Sequence, residues 1–262
     1  MLKRAFKSNS HNGIFKAMAG FGRSMNRLYE NRNHDSKSNG EVTILKKLAH
    51  FNPQVIIDGG ANHGEYSLLV NGIMKDCVVY SFEPVINTYE KLKLNLNGIN
   101  NVFPINQGLY HENCSADINI FNSDEHSSMY SFENLSQKPV NVMKADFIKG
   151  DTFLEEKKIN RVDLLKLDLE GAEFDALKGF DTSLKNNKIK CIQFEYGYIN
   201  IKTKKLLIDY YELLTSYGYI IGKVYPKRVE FRDYNFKHED FLGPNYLAVN
   251  ATEKELIQAL EN

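Results

Sequence analysis

Apolar runs and amphipathic stretches alternate along most of this chain, which predicts β-strands followed by α-helices. The predicted strands cover residues 54–58, 77–83, 101–106, 162–168, 188–195, 219–225 and 245–249. The predicted helices cover residues 41–51, 64–74, 86–97, 152–158, 172–180 and 200–216, and a short helix closes the chain. This alternation predicts an α/β fold with a Rossmann-like, mostly parallel sheet of seven strands and helices on both faces. The last two strands are joined without a helical stripe, so we expect an antiparallel closing strand.

Residues 107–150 interrupt this alternation. Ile118 and Ile120 alternate with polar residues, as do Val140 and Val142, which predicts a short antiparallel excursion. The segment leaves the sheet at the edge where α/β proteins bind ligands, so we predict an insertion that forms part of an acceptor site. Its candidate substrate contacts are His126, Ser127, Ser128 and Tyr130.

Residues 1–40 differ from the rest of the chain in charge. The whole chain has a formal net charge of zero, but these residues hold eight basic and two acidic side chains, a net charge of +6. We predict a basic N-terminal arm over residues 1–40, helical at 13–31 and linker-like at 33–40, before one domain over residues 41–262. We favour a solvated extension. The alternative is a surface that meets phosphates, an anionic membrane face or an acidic partner.

Composition argues against several classes of protein. Cys77, Cys114 and Cys191 are widely spaced and form no C-x-x-C pair, so neither a disulfide framework nor a zinc site is indicated. The N-terminus lacks the apolar core of a secretory signal, and no apolar run is long enough to cross a membrane. The part after the arm is net acidic and has no basic stripe interleaved with aromatic residues, so we expect no nucleic-acid partner. We expect a cytoplasmic protein, with the arm as a means of peripheral contact at the inner face of the membrane.

The most informative stretch follows the first predicted strand and runs from Asp58 to Gly64 as D-G-G-A-N-H-G. A strand that ends in a carboxylate, a loop of small residues and a helix start are typical of a nucleotide-type cofactor site. A dinucleotide fingerprint also requires a third glycine, in the order G-x-G-x-x-G, which is missing here. The order fits S-adenosylmethionine better, because loop backbone can contact the methionine portion and ribose while Asp58 organises the loop. The candidate cofactor contacts are Asp58, Gly59, Gly60, Ala61, Asn62, Gly64, Glu65, Tyr66 and Ser67.

The second predicted strand ends in Glu83 and Pro84, which we add to the candidate cofactor contacts. Glu83 follows Asp58 by 25 positions, near the spacing of about 20 at which an acidic residue meets ribose hydroxyls. A carboxylate can accept two hydrogen bonds from a vicinal diol. His63 has two open interpretations, a contact with the cofactor carboxylate or a surface position at the start of a helix.

Three charged residues, Lys166, Asp168 and Glu170, lie at the end of the predicted strand 162–168. Side chains two positions apart share one face of a strand, so we expect these groups to project together. Ligands of open α/β sheets bind at that end of the strands, and charges on a central strand need partners. An ion pair that only stabilises the sheet is the alternative to a catalytic site.

Together these motifs resemble the FkbM family of S-adenosylmethionine-dependent methyltransferases. The resemblance covers residues 54–250 and rests on D-G-G-A-N-H-G-E-Y-S at 58–67, F-E-P at 82–84, K-L-D-L-E-G-A-E at 166–173, L-K-G at 177–179 and F-E at 194–195. It implies a class I methyltransferase fold, S-adenosylmethionine as cofactor, and methyl transfer to a hydroxyl, commonly on a sugar or a polyketide-like acceptor. The arm and the insertion carry no motif of the family, so the acceptor stays open.

Methyl transfer to a hydroxyl needs a proton acceptor beside the nucleophile. We predict Asp168 as that base, with Lys166 orienting it and Glu170 binding the acceptor or balancing charge. Glu195, at the end of strand 188–195, is a further candidate acceptor contact, and His126 is an alternative base. A carboxylate pair that holds Mg²⁺ is a second route, but no cluster has clear metal-ligand spacing, so we predict no metal site.

The expected function is therefore methyl transfer to a hydroxyl of a sugar, polysaccharide or glycolipid. The alternatives are a methyltransferase for a polyketide-like small molecule or for RNA, and a non-catalytic cofactor-binding module. A dinucleotide oxidoreductase is disfavoured by the missing glycine. The charged face of Lys166, Asp168 and Glu170 argues against a module that only binds. A homo-oligomer is compatible with the sequence, which does not indicate the oligomeric state.

Overall fold

The computed structural model of the chain describes residues 7–8, 10–121, 127–129 and 139–262. Its strands are β1 (Val55–Gly59), β2 (Val78–Phe82), β3 (Val102–Ile105), β4 (Gly108–Tyr110), β5 (Cys114–Ile120), β6 (Ser127–Ser128), β7 (Asn141–Lys149), β8 (Val162–Leu167), β9 (Ile189–Glu195), β10 (Tyr219–Val224), β11 (Val229–Phe231) and β12 (Asn245–Asn250). Its helices of regular α type are α1 (Gly13–Tyr29), α2 (Glu41–Ala49), α3 (Glu65–Ile73), α4 (Ile86–Asn95), α5 (Gly150–Glu156), α6 (Glu173–Lys178), α7 (Asp181–Lys185), α8 (Asn200–Thr203), α9 (Leu207–Ser216) and α10 (Lys254–Glu261). A single 3₁₀ turn at Phe236–His238 precedes β12.

Eight of these strands form one large sheet in the order β11-β10-β12-β9-β8-β1-β2-β3. The five strands from β9 to β3 are parallel to one another. By contrast, β12 is antiparallel to both of its neighbours, β9 and β10. The predicted α/β fold with a mostly parallel sheet and an antiparallel closing strand is confirmed. The motif-bearing strands β8, β1 and β2 are the middle three of the five parallel strands.

The predicted count of seven strands in this sheet is wrong, because β11 adds an eighth at the edge. It pairs antiparallel with β10 as a short hairpin, with Val224 opposite Val229. A strand of only three residues is too short for an alternation of apolar and polar positions to stand out in the sequence.

Two predicted helices differ from the structure. The predicted helix 172–180 is α6 alone, and a further short helix, α7, begins just after it; between them lies Gly179, where a Cβ atom would lie 2.1 Å from the carbonyl oxygen of Tyr110. The predicted helix 200–216 is α8 followed by α9, because Lys204 has a left-handed φ of 55°. A residue in the left-handed region ends an α-helix.

Apolar layers cover both faces of the large sheet. Neighbouring residues of a strand enter opposite layers: Ile57 and Leu165 belong to one, and Ile56 and Leu164 belong to the other. Both faces of the parallel strands are therefore buried, which explains why their sequences read as continuous apolar runs. The thiol of Cys191 is buried in the second layer, as a small apolar group.

The described residues of the segment 107–150 form a second sheet in the order β4-β7-β5-β6. As predicted, it contains antiparallel pairs, since β5 is antiparallel to both β6 and β7, whereas β4 is parallel to β7. A small apolar core of Val85, Ile118, Ala145 and Phe147 joins this sheet to the end of β2. The insertion is thereby fixed beside the carboxyl edge of the large sheet.

The N-terminal arm consists of two dissimilar parts. None of the residues of α1 is buried. The polar segment 30–40, predicted as a linker in part, instead packs on the domain: the side-chain amide of Asn31 donates to the carbonyl oxygens of Asn39 and Val224 at 2.8 and 3.0 Å. Nowhere in the described residues is a helix long and apolar enough to cross a membrane.

Candidate functional site

The carboxyl ends of β1, β2, β8 and β9 meet at one edge of the large sheet, where two cavities lie. The larger has a volume of about 360 Å³ and the smaller about 120 Å³. Gly60, Asn62, Asp168 and Glu170 line both of them. The two cavities are therefore adjoining parts of one cleft, at the edge where open α/β sheets bind ligands.

The larger cavity brings together most of the predicted loop and catalytic residues. Those that line it are Gly60, Ala61, Asn62, His63, Glu65, Tyr66, Lys166, Asp168, Glu170 and Glu195. Sequence reasoning missed its other lining residues, which are Arg32, His34, Ser36, Glu41, Gly197, Tyr198, Ile199, Phe241, Leu242 and Gly243. Charged and polar groups from five segments of the chain thus surround a space that suits a polar ligand.

The smaller cavity lies between the end of β2 and the second sheet. Glu83 and Pro84 line it, together with Ile118 and Phe147 of the second sheet. Ser128, predicted as a substrate contact, also lies here, so the structure separates it from Glu195 in the larger cavity. In its described residues the insertion therefore contributes to the Glu83 side of the cleft.

Three further predicted substrate contacts lie wholly or partly outside the described residues. His126 and Tyr130 lie outside the described residues, as does the side chain of Ser127, whose backbone pairs with Ile120 in the second sheet. Within the described part of the chain, no group of three His, Cys, Asp or Glu side chains is placed to hold a metal ion.

Gly60 brings the loop after β1 against the loop after β8. Its φ is +76°, and a Cβ atom would lie 1.8 Å from the carbonyl oxygen of Asp168, so a side chain here would displace the backbone that carries Asp168. Asn62 also has a left-handed φ, of 48°, and its N–H donates to the Glu83 carboxylate at 3.1 Å. The loops after β1, β2 and β8 therefore contact one another directly.

Four of the predicted cofactor contacts line neither cavity, namely Asp58, Gly59, Gly64 and Ser67. The buried carboxylate of Asp58 accepts a hydrogen bond from the Ser67 hydroxyl at 2.7 Å, and this hydroxyl lies 2.7 Å from that of Ser81. These contacts join the first turn of α3 to β1 and β2. Asp58 and Ser67 thus support the glycine loop from the protein interior, and they do not line the cleft.

Lys166 links the buried Asp58 to Asp168 at the cavity wall. Its ammonium group lies 3.5 Å from Asp58, 3.2 Å from Asp168 and 4.8 Å from the centre of the Tyr66 ring. Burial lowers the pKa of Lys166, but the nearby carboxylates of Asp168, Asp58 and Glu41 outweigh burial and hold the pKa above its usual value. Lys166 therefore stays a cation and holds the Asp168 side chain, which is 45% exposed, at the cavity.

Glu83 is buried at the end of β2. Its two carboxylate oxygens accept hydrogen bonds from the backbone N–H groups of Asn62 and Val85, at 3.1 and 3.0 Å. Burial raises the pKa of Glu83 to about 7, although these two hydrogen bonds act to lower it. A carboxylate oxygen has two acceptor positions, so Glu83 can still accept hydrogen bonds from a vicinal diol in the smaller cavity.

Two further carboxyl groups, one buried and one partly buried, stand beside the loop after β8. Glu173 accepts hydrogen bonds from the N–H groups of Leu169 and Gly171 at 2.7 and 3.1 Å, and burial raises its pKa to about 8. It was not a predicted site residue, although it ends the motif K-L-D-L-E-G-A-E, and it fixes the loop backbone. Glu195 lies 3.6 Å from His34, and burial, with the neighbouring carboxylates, raises its pKa well above the usual value.

The N-terminal segment 30–36 forms a wall of the larger cavity that sequence reasoning missed. Arg32, His34 and Ser36 line the cavity. Glu30 anchors the segment, since its carboxylate lies 3.1 Å from the buried ammonium of Lys223 in β10. The sequence carries no motif that marks these residues, and a polar stretch between two helical patterns predicts only a linker.

The geometry thus combines a carboxylate able to bind a diol, a loop of exposed backbone and a half-exposed carboxylate held by a buried lysine. Relatives of this chain are found among methyltransferases. A protein named Methyltransferase 1 from Beauveria bassiana is 26% identical over 144 residues, which are 48% of this chain and 58% of that protein. The hexuronic acid methyltransferase AglP from Haloferax volcanii is 25% identical over 173 residues, 65% of this chain and 69% of that protein.

Among solved structures, the methyltransferase FkbM from Methylobacillus flagellatus is similar at a TM-score of 0.48 and 16% identity, covering 76% of this chain and 44% of that one. The chain thus spans about half the length of that structure and of the Beauveria protein. A family model described as the methyltransferase FkbM domain matches residues 58–221, well over half of the chain and all of its strand-end motifs. This chain therefore belongs to the FkbM methyltransferase family.

Proposed function

We propose that this protein is an S-adenosylmethionine-dependent O-methyltransferase that acts on a hydroxyl group of a sugar acceptor. The observation that carries the proposal is the position of Asp168, which lines both cavities and whose carboxylate is held by Lys166. The smaller cavity has the diol-binding group, and the larger cavity has the polar walls that an acceptor needs. A base at the boundary between donor and acceptor is placed to take up the proton that the acceptor hydroxyl loses.

The residues of the cleft fit this cofactor. Glu83 offers carboxylate oxygens to the ribose diol, and Ile118 and Phe147 offer apolar surface to the adenine ring. The Tyr66 hydroxyl is buried at the larger cavity and has no hydrogen-bond partner among the described residues, which fits a polar ligand group such as the amino-acid end of the cofactor. When bound, the cofactor supplies an electrophilic methyl group on a sulfonium.

The chain's own residues then act on the acceptor. Asp168 accepts the proton of the acceptor hydroxyl, which raises the nucleophilicity of its oxygen. Lys166 positions Asp168, because its ammonium is buried between two carboxylates and cannot turn away without leaving them unpaired. Glu173 keeps the backbone of the loop in place through its two hydrogen bonds.

A sugar is the acceptor class that suits the larger cavity. Glu170, Glu195 and Ser36 supply hydrogen-bonding groups for sugar hydroxyls, and Tyr198 supplies a ring on which a sugar can pack. Arg32 adds a guanidinium, whose two parallel donors match a carboxylate and so favour an acidic sugar. The relative from Haloferax volcanii, by its name a hexuronic acid methyltransferase, supports the same class.

The test is incorporation of labelled methyl groups. The purified protein is incubated with methyl-labelled S-adenosylmethionine and, in parallel, with a glycan that contains hexuronic acid, a neutral glycan and RNA. We expect label in glycan that survives mild alkali, as a methyl ether does. Label that alkali releases would place the methyl group on a carboxyl, and label confined to RNA would name another acceptor. Either result contradicts the proposal, as does the absence of label from every glycan.

A further inference from the structure

Helix α1 has one apolar face that no described residue of the domain covers. Its large apolar side chains recur at spacings of four and three residues, so they lie along one side of the helix. They are Ile14, Met18, Phe21, Met25 and Leu28, and between 44% and 73% of each is exposed. An apolar stripe of this length is unusual on a surface that only meets water.

The opposite side of α1 is basic. Lys16, Arg23 and Arg27 lie about half a turn away from the apolar stripe, at 100° per residue. The helix contains no acidic residue, and the arm as a whole has a net charge of +6 while the rest of the chain is negative. An apolar face opposite a basic face is the pattern of helices that lie in the interface of an anionic bilayer.

The end of α1 is close in sequence to a residue that lines the larger cavity. It ends at Tyr29, and Arg32, three residues later, lines that cavity. Three residues span at most about 11 Å. The anchors of Glu30 at Lys223 and of Asn31 at Val224 fix this connection to the domain. A surface that binds α1 is therefore held near the cavity.

We propose that α1 binds the surface of an anionic lipid bilayer through its apolar face, which holds the larger cavity beside the membrane. The charge of the helix favours this occupant over α1 of a second copy of the chain, packed apolar face to apolar face. A second α1 would bring the same basic residues and no acidic partner, whereas an anionic surface attracts each of them. The proposal does not depend on the cofactor or on the acceptor.

Flotation of the full chain with lipid vesicles tests the proposal. We expect binding to vesicles of phosphatidylcholine with one third phosphatidylglycerol at low salt, and little binding to phosphatidylcholine alone. High salt should weaken the binding, because it screens the attraction of the basic residues. Binding that is equal for both vesicle types, or no binding by the well-folded chain, would overturn the proposal.

Variants identify the surface that binds. Replacing Met18→Ser and Phe21→Ser should weaken binding roughly tenfold or more, since each removes a large apolar side chain from the lipid. Replacing Arg23→Gln and Arg27→Gln should weaken it roughly thirtyfold, from about 1 kcal/mol for each charge near an anionic surface.

Matched controls lie elsewhere on the protein. Phe236→Ser removes a phenylalanine that is 74% exposed, and Lys157→Gln with Lys254→Gln removes two exposed charges. Both controls should bind vesicles as the unchanged chain does. A control that loses binding as strongly as the α1 variants, or a dimer in light scattering that Met18→Ser with Phe21→Ser dissociates, would contradict membrane binding through this face.

Discussion

Two walls of the larger cavity are held in place by different means. Lys166 and Asp168 stand at the end of β8, which has a parallel strand on either side and a buried ion pair to β1. Arg32 and His34 lie in the N-terminal segment 30–36, which is held by the amide hydrogen bonds of Asn31, the ion pair of Glu30 with Lys223 and the contact of His34 with Glu195. The sheet determines the first wall, whereas a few side-chain contacts determine the second.

This difference suggests that the two walls have different roles in the reaction. Under the proposed function, residues on the strand ends carry the chemistry that every acceptor needs, and the sheet holds them to within a narrow range of positions. Under the proposed function, residues on the N-terminal segment serve only to bind the acceptor, and few contacts hold them in place. We therefore expect changes in the first wall to affect turnover and stability, and changes in the second to affect acceptor affinity.

The largest effect is expected for Asp168→Asn. The amide keeps the shape of the side chain but cannot take up a proton, so turnover should fall about a thousandfold. Affinity for the cofactor should change little, because Asn still fits the cleft. Asp76→Asn, an exposed change before β2 at the opposite edge of the sheet, should leave turnover unchanged. Turnover of Asp168→Asn close to that of the unchanged protein would remove Asp168 from the role of base.

Among these substitutions, Lys166→Met should lower the free energy of unfolding the most. It leaves the buried Asp58 carboxylate without its cation, and loss of one partner from a buried ion pair costs about 3 kcal/mol. Urea denaturation measures the free energy of unfolding. Lys157→Met, at an exposed site, should change it by no more than about 0.5 kcal/mol. Equal stability of the two variants would show that the first wall does not depend on its ion pairs.

Arg32→Gln tests the second wall. Loss of a charge-assisted hydrogen bond should raise the KM for an acidic sugar about tenfold while kcat and cofactor affinity stay the same. Arg228→Gln, at an exposed position in the β10–β11 hairpin, serves as the matched control. If Arg32→Gln lowered the affinity for the cofactor as much as the affinity for the acceptor, the second wall would not act on the acceptor alone, and our inference would be wrong.

The smallest effect concerns pH. Burial raises the pKa of Glu83 to about 7, and its ionised form accepts hydrogen bonds from both ribose hydroxyls better than its protonated form. Cofactor affinity should therefore rise about fivefold as the pH increases from 6 to 8 through that pKa. In Glu83→Gln the affinity should be weaker and independent of pH over this range. A pH dependence that persists in the variant would assign it to another group.

The sequence predicts the first wall well. The predicted strands 54–58 and 162–168 differ from β1 and β8 by no more than one residue at either end, because apolar runs that are buried on both faces are easily recognised. The acidic residues that follow β2 and β8 are predictable for a related reason. Parallel strands place their carboxyl ends at one edge, so a charge at each end must lie near the others.

The second wall could not be predicted in this way. The anchor of Asn31 at Val224 joins residues that are 193 positions apart, and no local pattern records such a contact. The same limit applies to Ser128, whose place beside Glu83 depends on how the second sheet packs against β2. The strand β11 is too short to show a pattern of apolar residues. The helix break at Lys204 depends on the left-handed conformation of one residue, which the spacing of apolar residues does not show.

Calorimetric titration with S-adenosylhomocysteine, the demethylated form of the cofactor, tests the central claim most directly. The claim is that the ends of β1, β2 and β8 form a site for this nucleoside. At pH 8 we predict binding of one molecule per chain with a Kd in the micromolar range, or about −8 kcal/mol, and markedly weaker binding by Glu83→Gln. A well-folded sample that gives no heat of binding, or a Glu83→Gln variant that binds as tightly as the unchanged protein, would contradict the account.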